Sequence, residues 1–333
     1  MMSIKSILYL LSSAIVVSFS VAWMAALTQW LLLKALSAVD KGSLSRRSSK
    51  FWFTLGVWPL SLGFFLILFS VVFAYLTSAG FLYDHCLEHQ GHPHLCFSHI
   101  AHNLPGGVIF WGILSLGLVM TFVSGAHVYR QQLFTRRLVA DAILSQSLSN
   151  DHGQISVLPS AWPAAFTAGW LAPRPYLTFA ALDRLGQEEM SIVLSHELEH
   201  ARNRDPLRML LLQVSESWLP GARWIRRSWE MRRELECDNA SIRSGFRPTQ
   251  VAKAILRLQE ALTTFSTQSA VMSYSARDTR SVKRRIQSLL SGKTPKTTGG
   301  HPVLWVAMTI FVTLLFGHDP IHHILESFLG WLS

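Results

Sequence analysis

The strongest constraint in this sequence is a set of long segments without charged side chains. Residues 7–33, 51–83 and 103–129 each contain no Lys, Arg, Asp or Glu. A helix needs about 20 apolar residues to cross roughly 30 Å of hydrocarbon, and each segment is longer than that. The chain of 333 residues is 50% hydrophobic and only 15% charged, which is unlike a soluble globular protein. We therefore predict transmembrane helices at about residues 7–33, 52–80 and 104–128.

A fourth uncharged segment, residues 302–317, is shorter than the other three. Because thin membranes accept short spans, we predict a fourth transmembrane helix at about residues 300–317. The first segment has features of a secretory signal peptide, with Lys5 before it and a small-residue cleavage pattern ending at Ala22. Its apolar run continues to residue 33, which is too long for an ordinary signal peptide, so we interpret it as an uncleaved anchor.

The positions of the basic residues predict the orientation in the membrane. With residues 130–298 in the cytoplasm, all 30 Lys and Arg lie on that side except Lys5. Cytoplasmic loops carry an excess of Lys and Arg, so this arrangement is favoured. We expect a bacterial inner-membrane protein with its N-terminus outside. The net charge of +10 then reflects orientation, and direct nucleic-acid binding is not expected, because no basic stripe interleaved with aromatic residues occurs.

The chain therefore divides into a membrane domain, a cytoplasmic domain and a short C-terminal part. Residues 1–129 hold three spans and an external loop at 84–103, residues 130–298 form the cytoplasmic domain, and residues 299–333 hold the fourth span and an external amphipathic tail. Short strand-like runs divided by Pro and Gly predict a small irregular sheet, and longer helical patterns follow. The predicted fold class is a multi-pass α-helical membrane protein with a mainly helical α+β cytoplasmic domain.

The cytoplasmic segment contains an H-E-x-x-H motif in a helix predicted to begin near Gly186. His196 and His200 are four residues apart, so both imidazoles lie on one helix face and can bind one cation. Glu197, next to the first histidine, is placed to deprotonate a metal-bound water. The alternative is a solvated helix that carries His and Glu by chance. We expect the two histidines to bind Zn²⁺ and Glu197 to be the catalytic base.

A catalytic zinc site needs three protein ligands and an open position, so a third ligand is required. A second helix, predicted at about residues 229–242, carries Glu234 and Asp238 four residues apart on one face. We predict Glu234 as the third ligand. Asp238 is then expected to accept a hydrogen bond from the other ring nitrogen of a ligand histidine. Glu236 faces another side of the helix and is expected to be a surface charge.

Two further residues have open roles. Asp205, before a Pro predicted to end the motif helix, is a second candidate for orienting a ligand histidine, or else a simple turn residue. Cys237 is the competing third ligand, because a thiolate binds zinc well. A place in the helix packing is favoured for Cys237, since free cysteines are usually buried.

The string H-E-L-E-H-A-R-N-R-D-P-L, followed by E-L-E-C-D, resembles the BlaR/MecR-type integral-membrane zinc peptidases, a branch of the gluzincins. The order of three spans, a cytoplasmic domain and a fourth span is similar to that family as well. The resemblance implies a zincin-like (gluzincin) metalloprotease domain with one Zn²⁺ per chain, held by His196, His200 and Glu234. It also implies signal-regulated cleavage of a cytoplasmic or membrane protein, such as a cytoplasmic repressor. Because the sequence contains no S-x-x-K motif, we expect it to lack the penicillin-binding sensor domain of the β-lactam sensors.

Two alternatives remain open. Membrane gluzincins of the HtpX-like, quality-control type share the motif but place two spans between the histidine pair and the third ligand. Here that interval holds one apolar run, residues 207–219, which lies along the membrane surface or forms an ordinary buried helix. The other alternative is a non-proteolytic transducer with a structural metal site. A transducer would tolerate the loss of Glu197, and a peptidase would not.

Strand-like runs occur at residues 155–158, 164–168 and 176–179. The second run predicts an edge strand. This strand either binds an extended substrate by strand addition or has a purely structural role. Its residues are Ala165, Phe166, Thr167, Ala168 and Gly169.

The predicted external loop is rich in His and contains two cysteines. Cys86 and Cys96 are expected to form a disulfide, because the outside of the membrane is oxidising. The histidines are candidates for sensing external metal or pH, or are simply part of a polar loop. The candidate sensor residues are His85, His89, His92 and His94.

Overall fold

A computed structural model describes most of the membrane helices and of the segment that follows them. The described residues are 4–39, 44, 47–79, 81, 107–140, 143–145, 155–219, 221–268 and 279–291. Several predictions fall on residues outside these ranges: the fourth span, the external loop, the disulfide between Cys86 and Cys96, and the histidines His85, His89, His92 and His94.

Three long helices form the membrane part: α1 (Ile4–Val39), α2 (Ser49–Ser78) and α3 (Val108–Ala140). Each is long and apolar enough to cross a membrane, over Leu11–Ala38, Ser49–Phe69 and Val108–Arg137. Helix α1 packs against both of the others. Large apolar side chains face outward on these helices, as lipid-facing residues do. Phe122, for example, has 77% of its surface exposed. The prediction of three membrane helices in a multi-pass α-helical protein is confirmed.

The segment after α3 contains a small mixed sheet. Its strands are β1 (Ile143–Ser145), β2 (Ile155–Leu158), β3 (Ala165–Ala168) and β4 (Arg174–Thr178). The strand order is β1-β2-β4-β3, with β2 and β4 parallel and the outer pairs antiparallel. Strand β3 therefore lies at one edge of the described sheet. Gly169 follows it with φ 105, a left-handed conformation that turns the chain back into β4.

Helices follow the sheet in the described part of the chain: α4 (Phe179–Arg184), α5 (Gln187–Arg202), α6 (Asp205–Trp218), α7 (Ala222–Arg243), α8 (Pro248–Gln268) and α9 (Thr279–Leu290). Helix α5 begins after Gly186, as predicted, and Glu189 in its first turn accepts a hydrogen bond from the Gly186 N–H. Two predicted boundaries were wrong. Helix α7 starts about two turns earlier than residue 229, and Pro206 lies in the first turn of α6 and does not end α5.

The core holds α5 against the sheet. Ile192 and Leu194 pack with Leu177 of β4 and with Val251 of α8 in one cluster of buried residues. Ile192 lies four residues before His196, so the buried apolar face of α5 continues into the face that carries the two histidines, and α5 also packs against α7. The packing of the domain core therefore fixes the direction of the H-E-x-x-H motif.

Helices α6 and α7 pack against the membrane helices. Leu212 of α6 and Ile225 and Trp229 of α7 are buried with Trp52 of α2. Of the two alternatives for the apolar run at residues 207–219, the structure favours the buried helix, with Leu210 8% and Leu212 1% exposed. It packs between α5, which carries the H-E-x-x-H motif, and the membrane helices α2 and α3.

Candidate metal centre

Three predicted ligands converge between α5 and α7. The Nε2 atoms of His196 and His200 lie 3.2 Å apart. The Glu234 carboxylate faces both of them, with Oε2 3.4 Å from the His196 Nε2 atom and Oε1 3.5 Å from the His200 Nε2 atom. The i, i+4 spacing on α5 pairs the imidazoles, and the packing of α7 on α5 brings the carboxylate to them.

The donor set fits a tetrahedral zinc ion. Zinc binds imidazole nitrogen and carboxylate oxygen at about 2.0–2.2 Å, so neighbouring ligand atoms of a tetrahedral ion are about 3.3–3.5 Å apart. The two Nε2 atoms lie 3.2 Å apart, and each faces a different oxygen of Glu234, at 3.4 Å from His196 and 3.5 Å from His200, which is close to the spacing of neighbouring zinc ligands. Three protein ligands leave a fourth position for water or substrate, which is the arrangement of catalytic zinc sites.

Two buried carboxylates hold the outer nitrogens of the imidazoles. The Nδ1 atom of His196 lies 3.1 Å from the Asp238 Oδ1 atom, and the Nδ1 atom of His200 lies 2.8 Å from the Asp205 Oδ2 atom. Asp238 and Asp205 expose only 1% and 5% of their surface. A proton held on each Nδ1 atom leaves the Nε2 lone pairs directed at the space between the ligands. Asp205 is thus placed beside His200 as well as at the first position of α6.

The electrostatics of this cluster favour positive charge at the two imidazoles. Burial opposes a charged imidazole, but hydrogen bonds that the imidazole donates to Asp238 and Glu234 raise the pKa of His196. Burial is also outweighed at His200, where Asp205 and then Cys237 and Glu234 raise the pKa well above its ordinary value. Against the effect of burial, the charge of Arg285 and the imidazoles hold the pKa of Glu234 well below its usual range. A divalent cation would satisfy the same demand for positive charge.

Glu197 is held beside the candidate metal ligands by strand β3. Its side chain is 9% exposed, and the Thr167 Oγ1 atom lies 2.8 Å from both the Glu197 backbone oxygen and its Oε2 atom. The hydroxyl has one proton, so it donates to one of these oxygens at a time. The residues of β3 and Gly169 line the same cavity of about 690 Å³ as His196 and Glu197. The predicted base and the predicted edge strand therefore share one cleft.

Sequence reasoning missed Arg285, which lies in α9. Its Nη1 atom is 2.8 Å from the Glu234 Oε2 atom, and its Nε and Nη2 atoms are 2.8 and 2.6 Å from the two Asp238 carboxylate oxygens. Arg285 comes 47 residues after Asp238, in a stretch with several other basic residues. No local pattern distinguishes it, and only the packing of α9 against α7 brings it to the site.

The contacts of Arg233 and Glu236 were also missed. The buried Arg233 guanidinium forms an ion pair with Asp205 and donates to the Glu199 backbone oxygen at 2.8 Å. Glu236 accepts a hydrogen bond of 2.8 Å from the Ser49 N–H and a second from the Ser49 hydroxyl. The expectation that Glu236 is a free surface charge was wrong, because Ser49 at the start of α2 lies directly against it.

Cys237 is close to the histidines but faces a different atom. Its Sγ atom lies 3.6 Å from the His200 Nδ1 atom, the nitrogen that also faces Asp205. Cys237 is completely buried, and burial raises the pKa of its thiol to about 11. The potential ligand atoms of His196, His200 and Cys237 all lie within 4.8 Å of one another, so this set is the alternative to one with Glu234. Glu234 fits better, because it faces both Nε2 atoms and is ionised at neutral pH.

Comparison with known families gives one match. The model of peptidase family M48 matches residues 130–304, slightly more than half of the chain. The matched segment begins near the end of α3 and includes every residue of the cluster described above. A search among curated proteins finds no match.

Proposed function

The chain belongs to peptidase family M48, whose members are zinc-dependent, and on this premise we propose that it is a membrane-embedded zinc endopeptidase with its active site in the cytoplasm. The observation that carries the proposal is the convergence of His196, His200 and Glu234 beside Glu197 in one cleft. In this proposal the two histidines and Glu234 hold one Zn²⁺ per chain.

The remaining chemistry belongs to the residues of the chain. When bound, Zn²⁺ lowers the pKa of a water molecule and polarises the scissile carbonyl. Glu197 takes the proton of the attacking water at a carboxylate oxygen and delivers it to the leaving amine. Thr167 orients that carboxylate through its hydroxyl. Asp205 and Asp238 keep the two imidazoles in the orientation that their role requires.

The edge strand is proposed to hold the substrate. Strand β3 is paired only with β4 in the described sheet, so its other edge has free backbone groups along the cleft. An extended polypeptide added to this edge gains backbone hydrogen bonds with little demand on its sequence. Thr167 lies in this strand and contacts Glu197, so a substrate bound to β3 would lie next to the catalytic base.

We place this activity in signal-regulated proteolysis in a bacterial inner membrane, with the N-terminus outside. The distribution of Lys and Arg supports the orientation. The double hydrogen bond between Ser49 and Glu236 supports regulation, because it joins a membrane helix to the helix that carries Glu234. The proposed substrate is a cytoplasmic or membrane protein, including a cytoplasmic repressor. An HtpX-like quality-control protease would instead cleave many substrates.

The test compares Glu197→Gln with Glu188→Gln, a matched change at an exposed position of the same helix. Glu197→Gln should retain its zinc, measured by elemental analysis, and lose hydrolysis completely, whereas Glu188→Gln should retain both. Proteomes of cells carrying either variant should differ in one new protein terminus if the enzyme has a single substrate. Continued hydrolysis by Glu197→Gln would remove the proposed base, whereas absence of hydrolysis by the unaltered protein would leave a transducer as the better description.

A further inference from the structure

The turn between α6 and α7 lies deep among the membrane helices. We call α6, the turn and the first two turns of α7 the hairpin, residues 205–229. At its turn, the Trp218 ring lies 5.2 Å from the Phe19 ring of α1. Leu219 and Ala222 are buried with Ala26 of α1. These contacts put the end of the hairpin against the middle of α1, well away from its termini.

Two membrane helices give the same depth for this turn. Lys34 of α1 and Lys50 of α2 are the basic residues nearest to the apolar spans on the side of the peptidase domain. Trp23 and Leu60, which both pack against the turn, lie 11 and 10 residues from these lysines. At about 1.5 Å per residue this is about 15 Å, or half of the roughly 30 Å of hydrocarbon. The turn is therefore close to the middle of the bilayer.

The apolar face of the hairpin is fitted closely to the spans. A side chain on Gly56 of α2 would clash with Leu212 of α6 and meet Ile225 of α7. Gly221 has φ 76 in the turn, and a side chain there would collide with the Trp30 indole. Close backbone approach of this kind is how helices pack inside membranes. The hairpin is packed as a membrane element, although neither of its helices is long enough to cross.

The opposite face of the hairpin is charged. Glu216 accepts a hydrogen bond of 2.7 Å from the Arg223 Nε atom and another from Arg226, and Arg226 also pairs with Glu230. The Arg223 side chain is 69% exposed. Charged side chains at this depth are costly in hydrocarbon and are found facing water-filled cavities. This face therefore requires water within the thickness of the bilayer.

The charged face continues into the candidate active site. Arg226, Glu230 and Glu234 are spaced four residues apart and form one ridge along α7. Glu230 and Glu234 line the cleft, together with Gln131 and Thr135 of membrane helix α3. Helix α3 therefore forms part of the wall of the cleft, on the side where Glu230 of the charged ridge reaches the cleft.

We propose that the hairpin is a re-entrant membrane element and that its charged face lines a water-filled path from the bilayer to the cleft. The path admits a polypeptide segment held in the membrane, whose unpaired backbone groups find donors and acceptors along the row from Glu216 to Glu230. The position of the hairpin stands independently of catalysis, and the passage of a substrate rests on the proposed peptidase function.

The position of the hairpin is tested with nitroxide labels on full-length Glu197→Gln protein in liposomes. Single cysteines are introduced at Leu211, Arg223, Phe122 or Lys253 in a background in which Ser replaces Cys86 and Cys96; Cys237 is fully buried. The label at Phe122→Cys is the reference for a position that faces lipid, and the label at Lys253→Cys is the reference for a position that faces water.

A label at Leu211, which is 39% exposed, should collide mainly with oxygen, like the lipid reference. A label at Arg223, nearer to the turn, should be reached by a water-soluble nickel complex. Nickel-dominated collisions at Leu211, equal to those at Lys253→Cys, would place the hairpin outside the bilayer. Oxygen-dominated collisions at Arg223 without access to nickel would rule out the water-filled path.

The passage of substrate is tested with two probe proteins and active enzyme. One probe carries a flexible casein segment directly after a transmembrane span, and the other carries the same segment without the span. We expect kcat/KM to be at least tenfold higher for the spanning probe, and Arg226→Met to lower only that value. Equal kcat/KM for both probes would refute entry from the membrane. If neither probe is cleaved while the label pattern holds, the peptidase assignment fails and the re-entrant hairpin stands.

Discussion

Replacement of Arg285 by Met should make the fold depend on zinc. Arg285 is the only cation in the described part of the chain within ion-pair distance of Glu234, apart from the two ligand histidines. It also makes two hydrogen bonds to Asp238, at 2.8 and 2.6 Å. Methionine preserves much of the side-chain volume and removes all three charge-assisted contacts. Without zinc, the two carboxylates would then have only the imidazoles of His196 and His200 as positive partners among the described residues.

The size of the effect follows from burial. Removing one partner of a buried ion pair costs about 3–5 kcal/mol, because the other charge stays uncompensated. Asp238 is almost fully buried, but 31% of the Glu234 side chain is exposed, so the lower end, about 3 kcal/mol, applies. Bound zinc gives Glu234 a new partner, so the loss in the zinc-loaded protein should be about half as large.

The assay is thermal unfolding of the detergent-solubilised protein with EDTA and with zinc. For a domain of this size, about 3 kcal/mol corresponds to a fall in Tm of about 6–12 °C. Arg285→Met should show this fall in EDTA and only part of it in zinc. Arg284→Met, a matched change at the exposed neighbouring position, should show neither. An equal Tm of the Arg285→Met and Arg284→Met proteins in EDTA would refute the reasoning.

Three further predictions concern single contacts. Thr167→Val removes the hydroxyl that contacts Glu197, so kcat on a peptide substrate should fall about tenfold with zinc content unchanged. Cys237→Ala should retain zinc by elemental analysis and lose about 1–2 kcal/mol of stability in thermal unfolding, because the thiol fills a packed position. Gly221→Ala forces a side chain into a left-handed conformation against the Trp30 indole, and should lower the free energy of unfolding by about 1–3 kcal/mol in the same assay.

Each of these changes has a control. Thr167→Ser keeps the hydroxyl and should keep most of the activity; an active Thr167→Val enzyme would mean that the hydroxyl does not orient the base. Glu234→Ala should lose zinc, and the reverse pattern, zinc lost from Cys237→Ala alone, would make the thiol the third ligand. Gly112→Ala has open space around it in α3, so it should not destabilise the protein, and equal loss at both glycines would contradict the proposed clash.

The sequence predicted the features that depend on local spacing. Three spans follow from uninterrupted apolar runs, and the pairing of His196 with His200 follows from a four-residue interval on one helix. The same interval placed Asp238 on the face of Glu234, where the structure brings both to the histidines. These relations need only the geometry of a single helix.

Features that depend on packing between distant segments were not predictable. Arg285 stands among several basic residues, and its distance of 47 residues from Asp238 leaves no spacing rule to apply. The depth of the hairpin depends on contacts such as that between Leu212 and Gly56, which a single sequence does not encode as a pattern. The predicted start of α7 was too late because its first turns mix Arg and Trp without a regular apolar period.

The bond between Ser49 and Glu236 has a mechanical consequence. Ser49 opens α2, and Glu236 is two residues beyond the carboxylate that faces the imidazoles. A packed interior transmits displacement instead of absorbing it. Sliding α2 or turning it about its axis would therefore move α7 and displace the Glu234 carboxylate. In this way a movement of the second span would be transmitted directly to the candidate metal centre.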